Sequence, residues 1–198
     1  MPLLTPLLSN KIYKAFTSME ELGDREVNLS QDLANSFSDF IKGGVVTTTD
    51  IGTGPGGTYV GAGTGQMLIN TPFLFTNLFS FISDPYLNED GLSSGIAQSF
   101  NDVVQLPFII TGNSTGTLTT SSGSSSFSGP FVGNFKSNVA QLRSDFYKAF
   151  YGMKDTEKYE SQLANDLSLA LFKFMKSGII TISLRPPFTG GSGVGSIS

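Results

Sequence analysis

The chain has 198 residues, of which 12 are Lys or Arg and 16 are Asp or Glu, so 14% are charged, against roughly 25% in ordinary soluble domains. With neither Cys nor His, it has no thiolate nucleophile, imidazole base or disulfide framework, and lacks the two commonest zinc ligands. A net charge of −4 and a pI near 4.7 exclude the clustered basic surface on which affinity for nucleic acid depends.

The apolar fraction of 39%, with 17 Phe and 6 Tyr, is enough for a packed core and excludes disorder. The opening Met1-Pro2-Leu3-Leu4-Thr5-Pro6-Leu7-Leu8 has no basic region before it and two prolines inside it, so it does not read as a signal peptide. Residues 12–47 then carry Tyr13-Lys14-Ala15-Phe16 on a first helix. A polar link follows, then a second helix with Leu33, Phe37, Phe40 and Ile41 on one face at a period of 3.6 residues. Ser30 is the expected N-cap and Gly43-Gly44 the expected stop. A β-branched run, Val45-Val46-Thr47-Thr48-Thr49, leads into Gly52 to Gly57 and Gly61-Ala62-Gly63-Thr64-Gly65. Those glycines are read as turns needing positive φ.

The greasy stretch from Met67 to Ile82 is interrupted by Asn70, Thr71, Pro72, Thr76, Asn77 and Ser80. It falls short of a bilayer span and is expected to be a buried or interfacial helix. A second helix follows with Ile96, Phe100, Val103 and Val104 on one face and Ser93 as its expected cap. The Thr/Ser-rich stretch from Gly112 to Gly129 reads as polar strands around a loop, with Ser121 to Ser128 as a flexible solvated segment. The last part, residues 146–181, repeats residues 12–47 at an offset of 134 without a gap. Tyr147-Lys148-Ala149-Phe150 matches Tyr13-Lys14-Ala15-Phe16, and Met153, Asp166-Leu167, Phe174, Lys176, Gly178 and Thr181 match their counterparts. Its second helix presents Leu167, Leu171, Phe174 and Met175, with Ser161 as its expected cap and Gly178 as its stop. Ile179-Ile180-Thr181-Ile182 and a Gly-rich turn from Gly190 follow.

The middle is a more divergent copy at an offset of 63, placing Phe16 on Phe79, Glu26 on Glu89, Leu29-Ser30 on Leu92-Ser93, Ala34 on Ala97 and Ser36-Phe37 on Ser99-Phe100. The expected fold class is therefore α+β, three tandem repeats over residues 1–70, 71–135 and 136–198, each a helix pair followed by a short β-hairpin or ribbon with a Gly-rich turn. One such unit is too small to bury a core alone, and three could share one, as a pseudo-three-fold or a linear array. Charge follows the division: residues 1–47 and 146–198 hold 10 charged side chains each, whereas 48–145 hold 8. Charge depletion marks the buried centre of protein interfaces.

No motif carries a chemistry. The glycine runs lack the Lys-Ser or Lys-Thr of a phosphate loop, and no Asp-x-Asp-x-Asp-Gly calcium loop occurs. The acidic groups Glu20, Glu21, Asp24, Glu26 and Asp32, and Asp84 with Glu89 and Asp90, read as solvated charge. Without His, the serines have no base. The expectation is a non-enzyme with no catalytic residue, no cofactor and no metal. Phe73, Phe75, Phe79, Phe81, Phe127 and Phe131 are the candidate core or interface aromatics.

The helix Leu33-Ala34-Asn35-Ser36-Phe37-Ser38-Asp39-Phe40-Ile41, the run Val45-Val46-Thr47-Thr48-Thr49 and the strand-turn Gly61-Ala62-Gly63-Thr64-Gly65, together with the missing Cys and His, resemble small virion structural proteins of tailed bacteriophages. The resemblance implies a part that decorates or cements the head or builds neck, tail or baseplate. It implies partners among other virion proteins and copies of itself, a homo-oligomer located in the virion, with neither nucleic acid nor membrane as partner. A surface adhesin or carbohydrate-binding module, using Tyr59, Tyr86 and Tyr151, is the alternative.

Overall fold

A computed structural model describes residues 4–17, 25–54, 57–155, 160–184 and 192–198. Its elements come in three groups of helix, helix, strand, strand. These are α1 (Thr5–Thr17), α2 (Arg25–Lys42), β1 (Val46–Gly54) and β2 (Gly57–Met67); α3 (Thr71–Ile82), α4 (Glu89–Val104), β3 (Ile110–Thr120) and β4 (Gly123–Lys136); and α5 (Val139–Asp155), α6 (Glu160–Lys176), β5 (Ile179–Leu184) and β6 (Ser192–Ile197). The tandem α+β architecture expected from the repeat is therefore present. The choice between a ring and a linear array is decided by pairing. All neighbouring strands run antiparallel, and β6 pairs with β1, so the sheet closes into a barrel in the order β1 to β6. The helices close in the same way: each packs on its neighbours in chain order, and α6 packs back on α1.

The second helix of each unit is amphipathic by the pattern that identified it. Leu33, Phe37, Phe40 and Ile41 on α2, Ile96, Phe100, Val103 and Val104 on α4, and Leu167, Leu171, Phe174 and Met175 on α6 are all buried. On the axis of the helix ring Phe37 meets Phe100 at a centroid separation of 4.3 Å, and Phe100 meets the edge of Phe146 at 6.0 Å. Burying such rings contributes roughly 2–3 kcal/mol each. The expected stops hold: Gly43 and Gly44 donate to the carbonyls of Asp39 and Ile41, and Gly178 to that of Met175.

The expected caps do not hold. Ser30, Ser93 and Ser161 lie inside α2, α4 and α6. Ser30 and Ser93 are buried and turn their hydroxyls back onto the carbonyls of Glu26 and Glu89, four residues earlier. The cap of α4 is Asn88, which accepts from Gly91 N–H, and that of α3 is Asn70, which accepts from Phe73 N–H. The first helix of the middle unit also sits differently from the sequence alignment. Thr71-Pro72 begins α3 as Thr5-Pro6 begins α1, and buried Leu74 and Leu78 match buried Leu8 and Ile12, an offset of 66 where α4 keeps 63.

Each seam between units is closed by an apolar pair at the helix end of the barrel: Val46 with Ile197, Met67 with Ile110, and Phe135 with Ile180. All six side chains are buried, and together they floor the barrel beneath the helix ring. The glycines of β2 were expected in turns, and the structure corrects this, whereas Gly112 and Gly116 lie in one of the polar strands expected there. Gly61, Gly63, Gly65, Gly112 and Gly116 are paired strand residues, and among the described residues Gly123 is the one glycine with positive φ. Their role is steric. A six-stranded barrel is narrower than the eight-stranded kind whose interior just admits side chains. A methyl at Gly61 or Gly116 would collide with the Tyr59 ring, and one at Gly65 or Gly112 with Phe131. The Ser/Thr stretch is also ordered differently from expectation: Ser124 to Ser128 lie in β4, paired with Thr115 to Thr119, leaving only Ser121 and Ser122 as the turn.

Candidate functional site

Alternation along β1 sends Val46, Thr48 and Asp50 into the barrel and Thr47, Thr49 and Ile51 outward. Asp50 is thereby placed midway along the barrel with none of its surface exposed. Ser114 of β3 donates its hydroxyl proton to Asp50 Oδ2, which leaves Ser114 Oγ to accept from the Tyr59 hydroxyl. Tyr59 is capped by the edge of Phe127, with centroids 4.6 Å apart and planes at 85°. Burial pushes the Tyr59 phenol above its ordinary value of 10; the Ser114 bond works against that shift, and the Asp50 charge adds to it. Asp50 Oδ1 and Thr48 Oγ1 have no hydrogen-bond partner among the described residues.

This chain of hydroxyl, hydroxyl and carboxyl is sealed. Tyr59, Ser114 and Asp50 are all fully buried, and their hydrogen bonds tie together the three strands that carry them. Sequence reading passed over Asp50; the signal was its inward place in the alternation of β1.

The open concavities belong to the helix ring and come in pairs. A groove between α1 and α2, about 200 Å³, is lined by Leu8, Lys11, Asp39 and Phe40, among others. Its counterpart between α5 and α6, about 230 Å³, is lined by Leu142, Asp145, Lys173 and Phe174 at the same offset of 134. The charges are exchanged between the helices: Lys11 of α1 pairs with Asp39 of α2 at 2.5 Å, whereas α5 carries the acid and α6 the base. Both grooves fall below the 300–1,000 Å³ of typical ligand sites, and a shallower cleft beside the first, lined by Lys14, Asp32 and Asn35 among others, is about 310 Å³, at the lower edge of that range. No group of three or more metal-ligating side chains occurs among the described residues, nor any helix long and apolar enough to cross a membrane.

The six candidate aromatics divide by location. On α3, Phe73 is exposed, Phe75 and Phe79 are half-buried and stacked at 6.0 Å, and Phe81 is half-buried with its ring over Gly95. Phe127 and Phe131 point into the barrel, Phe131 fully buried. Asp90 accepts a two-pronged bond from Arg143 at 2.9 and 3.1 Å, tying α4 to α5. Glu20, Glu21 and Asp24 lie outside the described residues. Tyr59, one of three aromatics considered for glycan binding, is interior; Tyr86 is 94% exposed, and Tyr151 is exposed and stacked on Tyr147.

The outer face of the barrel is the most unusual surface. The strands hold two charged side chains among the described residues, and one of them, Asp50, is inside. The other, Lys136, sits at the helix end of β4. Everything else outward is Thr, Ser, Asn, Gln, Ala, Pro or an aliphatic side chain. Protein-family models, curated proteins and solved structures all give no match to this chain.

Proposed function

We propose that this chain is a non-enzymatic structural component of a tailed-phage virion, making subunit contacts in head, neck or tail. The observation that carries this reading is the nearly charge-free outer face of the barrel. Exposed soluble surfaces are normally rich in Lys, Glu and Asp, whereas the centres of interfaces are depleted in charge. The sealed interior of the barrel supports a scaffold over an enzyme. Its one carboxyl is held by Ser114 out of contact with solvent. Mass-spectrometric inventory of purified particles tests the reading: the chain is expected at stoichiometric abundance in virions. A chain abundant in the infected-cell lysate and missing from purified particles overturns it.

The adhesin reading retains the exposed Tyr147–Tyr151 stack and Tyr86, since exposed aromatic faces suit sugar rings. Glycan-array binding that disappears in Tyr151→Ala would favour it over the scaffold role.

A further inference from the structure

The hydrogen bonds inside the barrel leave two oxygens over. Asp50 Oδ1 and Thr48 Oγ1 have no hydrogen-bond partner among the described residues, and the two residues are 0% and 5% exposed. They stand two positions apart on β1, so both face the lumen. Their ladder neighbours are glycines on both sides: Gly63 and Gly195 beside Thr48, Gly61 and Gly193 beside Asp50. A Cβ at Gly63 would overlap Thr48 Oγ1 and lie 3.1 Å from Asp50 Oδ2, and one at Gly193 would overlap Asp50 Oδ1. The bare strands on either side thus leave the hydroxyl and the carboxyl unscreened, and the two meet beside Gly63.

We propose that Asp50 and Thr48 bind a small monovalent cation, sodium or potassium, inside the barrel. A carboxylate taken out of water needs a positive charge beside it, because an ionised group buried alone is heavily penalised. The described strands supply none. Lys136 is their one base and is exposed at the helix end of β4, and no ion pair involves Asp50 among the described residues. Hydroxyl and carboxylate oxygens are hard donors, which suit alkali and alkaline-earth cations and not soft metals. Charge then selects between those two groups. One carboxylate balances one positive charge, whereas a divalent ion would leave a net positive charge buried, and calcium draws on six to eight oxygens. A bridging water would satisfy the two oxygens as hydrogen-bonding groups but would leave the carboxylate charge unbalanced.

The place of the site sets what the cation does. Ser114 of β3 already donates to Asp50 Oδ2 and accepts from Tyr59 of β2, so Oδ1 is the free side of the carboxyl. A cation held there steadies the polar centre on which three strands converge. Folding closes the barrel over the site, so the cation is held by the folded chain alone, and stability rises with its concentration. None of this depends on a place in a virion. A chain missing from purified particles would bind the cation equally, and a virion part without the cation would still be a scaffold.

The test is equilibrium urea unfolding of the full chain in sodium, potassium and choline chloride at one fixed ionic strength. Choline is too large for the lumen and serves as the blank. Because the site is sealed, each sample is unfolded and refolded in its own salt before measurement. For the wild type, sodium or potassium is expected to raise the urea midpoint above that in choline, by about 0.5 M for each tenfold rise in concentration above the dissociation constant. Asp50→Asn keeps the shape of the side chain without its charge, and Thr48→Val removes the second oxygen. Asp50→Asn is expected to have one midpoint in all three salts, and Thr48→Val a weakened response. Far-UV circular dichroism checks that each variant folds, and either variant alone suffices if the other does not. A wild type with the same midpoint in all three salts overturns the proposal. So does a response that persists at full size in either variant.

Discussion

Replacing Ser114 by Ala is expected to destabilise the chain far more than removal of a hydroxyl usually does. Ser114 is fully buried and donates to Asp50 Oδ2. Asp50 Oδ1 has no partner among the described residues. Ser114→Ala therefore leaves a buried carboxyl with neither oxygen paired to any described group. Stranding a buried acceptor costs about 1–3 kcal/mol, and more for an ionisable group, so about 3 kcal/mol is expected. Ser99 makes an internal control. It is equally buried, but its hydroxyl donates to the carbonyl of Gly95 within its own helix. That carbonyl keeps its helical partner, so Ser99→Ala is expected to cost less than about 1 kcal/mol. Urea unfolding followed by circular dichroism reads both, with the shift in midpoint at constant slope giving the difference. Equal losses for the two serines, or a Ser114→Ala loss below about 1 kcal/mol, would refute the reasoning that Ser114 satisfies Asp50.

Gly178→Ala is expected to clash with the Phe135 ring, at about 1–3 kcal/mol. Trimming that ring with Phe135→Leu should recover much of the loss, so a double-mutant cycle must show less than additive destabilisation. On the helix-ring axis, Phe100→Ala should cost about 3–5 kcal/mol in the same urea assay, and a loss under about 1 kcal/mol would contradict the packing of Phe37, Phe100 and Phe146. Tyr59 holds its proton more tightly folded than unfolded. Its contribution to stability is thus complete below pH 10 and falls as pH rises from there through the folded pKa. The difference between wild-type and Tyr59→Phe absorbance titrations at the phenolate band should have its midpoint above 10, and a midpoint at or below 10 rejects the buried placement. Arg143→Ala breaks a largely exposed pair with Asp90 and should shift stability by at most about 0.5 kcal/mol.

The helices and their repetition were legible because each second helix must bury one stripe, and Leu33, Ile96 and Leu167 with their i+4, i+7 and i+8 partners mark that stripe in every copy. The ring was not legible. Closure depends on β6 finding β1, a pairing between residues such as Thr47 and Ser196 that lie 149 positions apart, and no local pattern encodes it. The glycines misled for a related reason. Glycine permits positive φ and also permits close approach, and composition cannot separate the two uses. Only the Tyr59 and Phe131 rings packed across the barrel reveal which one Gly61 and Gly65 serve. Ser30 and Ser93 were misplaced because α2 and α4 begin about two turns earlier than the stripes that start at Leu33 and Ile96.

Asp50, Ser114 and Leu184 occupy the same place in their units, each four residues after the apolar floor residue that starts its hairpin: Val46, Ile110 or Ile180. Three separate copies of one ancestral unit could close an identical ring, but every residue facing the axis would then occur three times. Three carboxyls crowded into so narrow a lumen would repel one another, and three leucines would compete for room meant for one. Joining the units into a single polypeptide removes that constraint. An acid, an alcohol and an alkyl group can then share one level of the barrel, and each position is free to mutate without its two echoes.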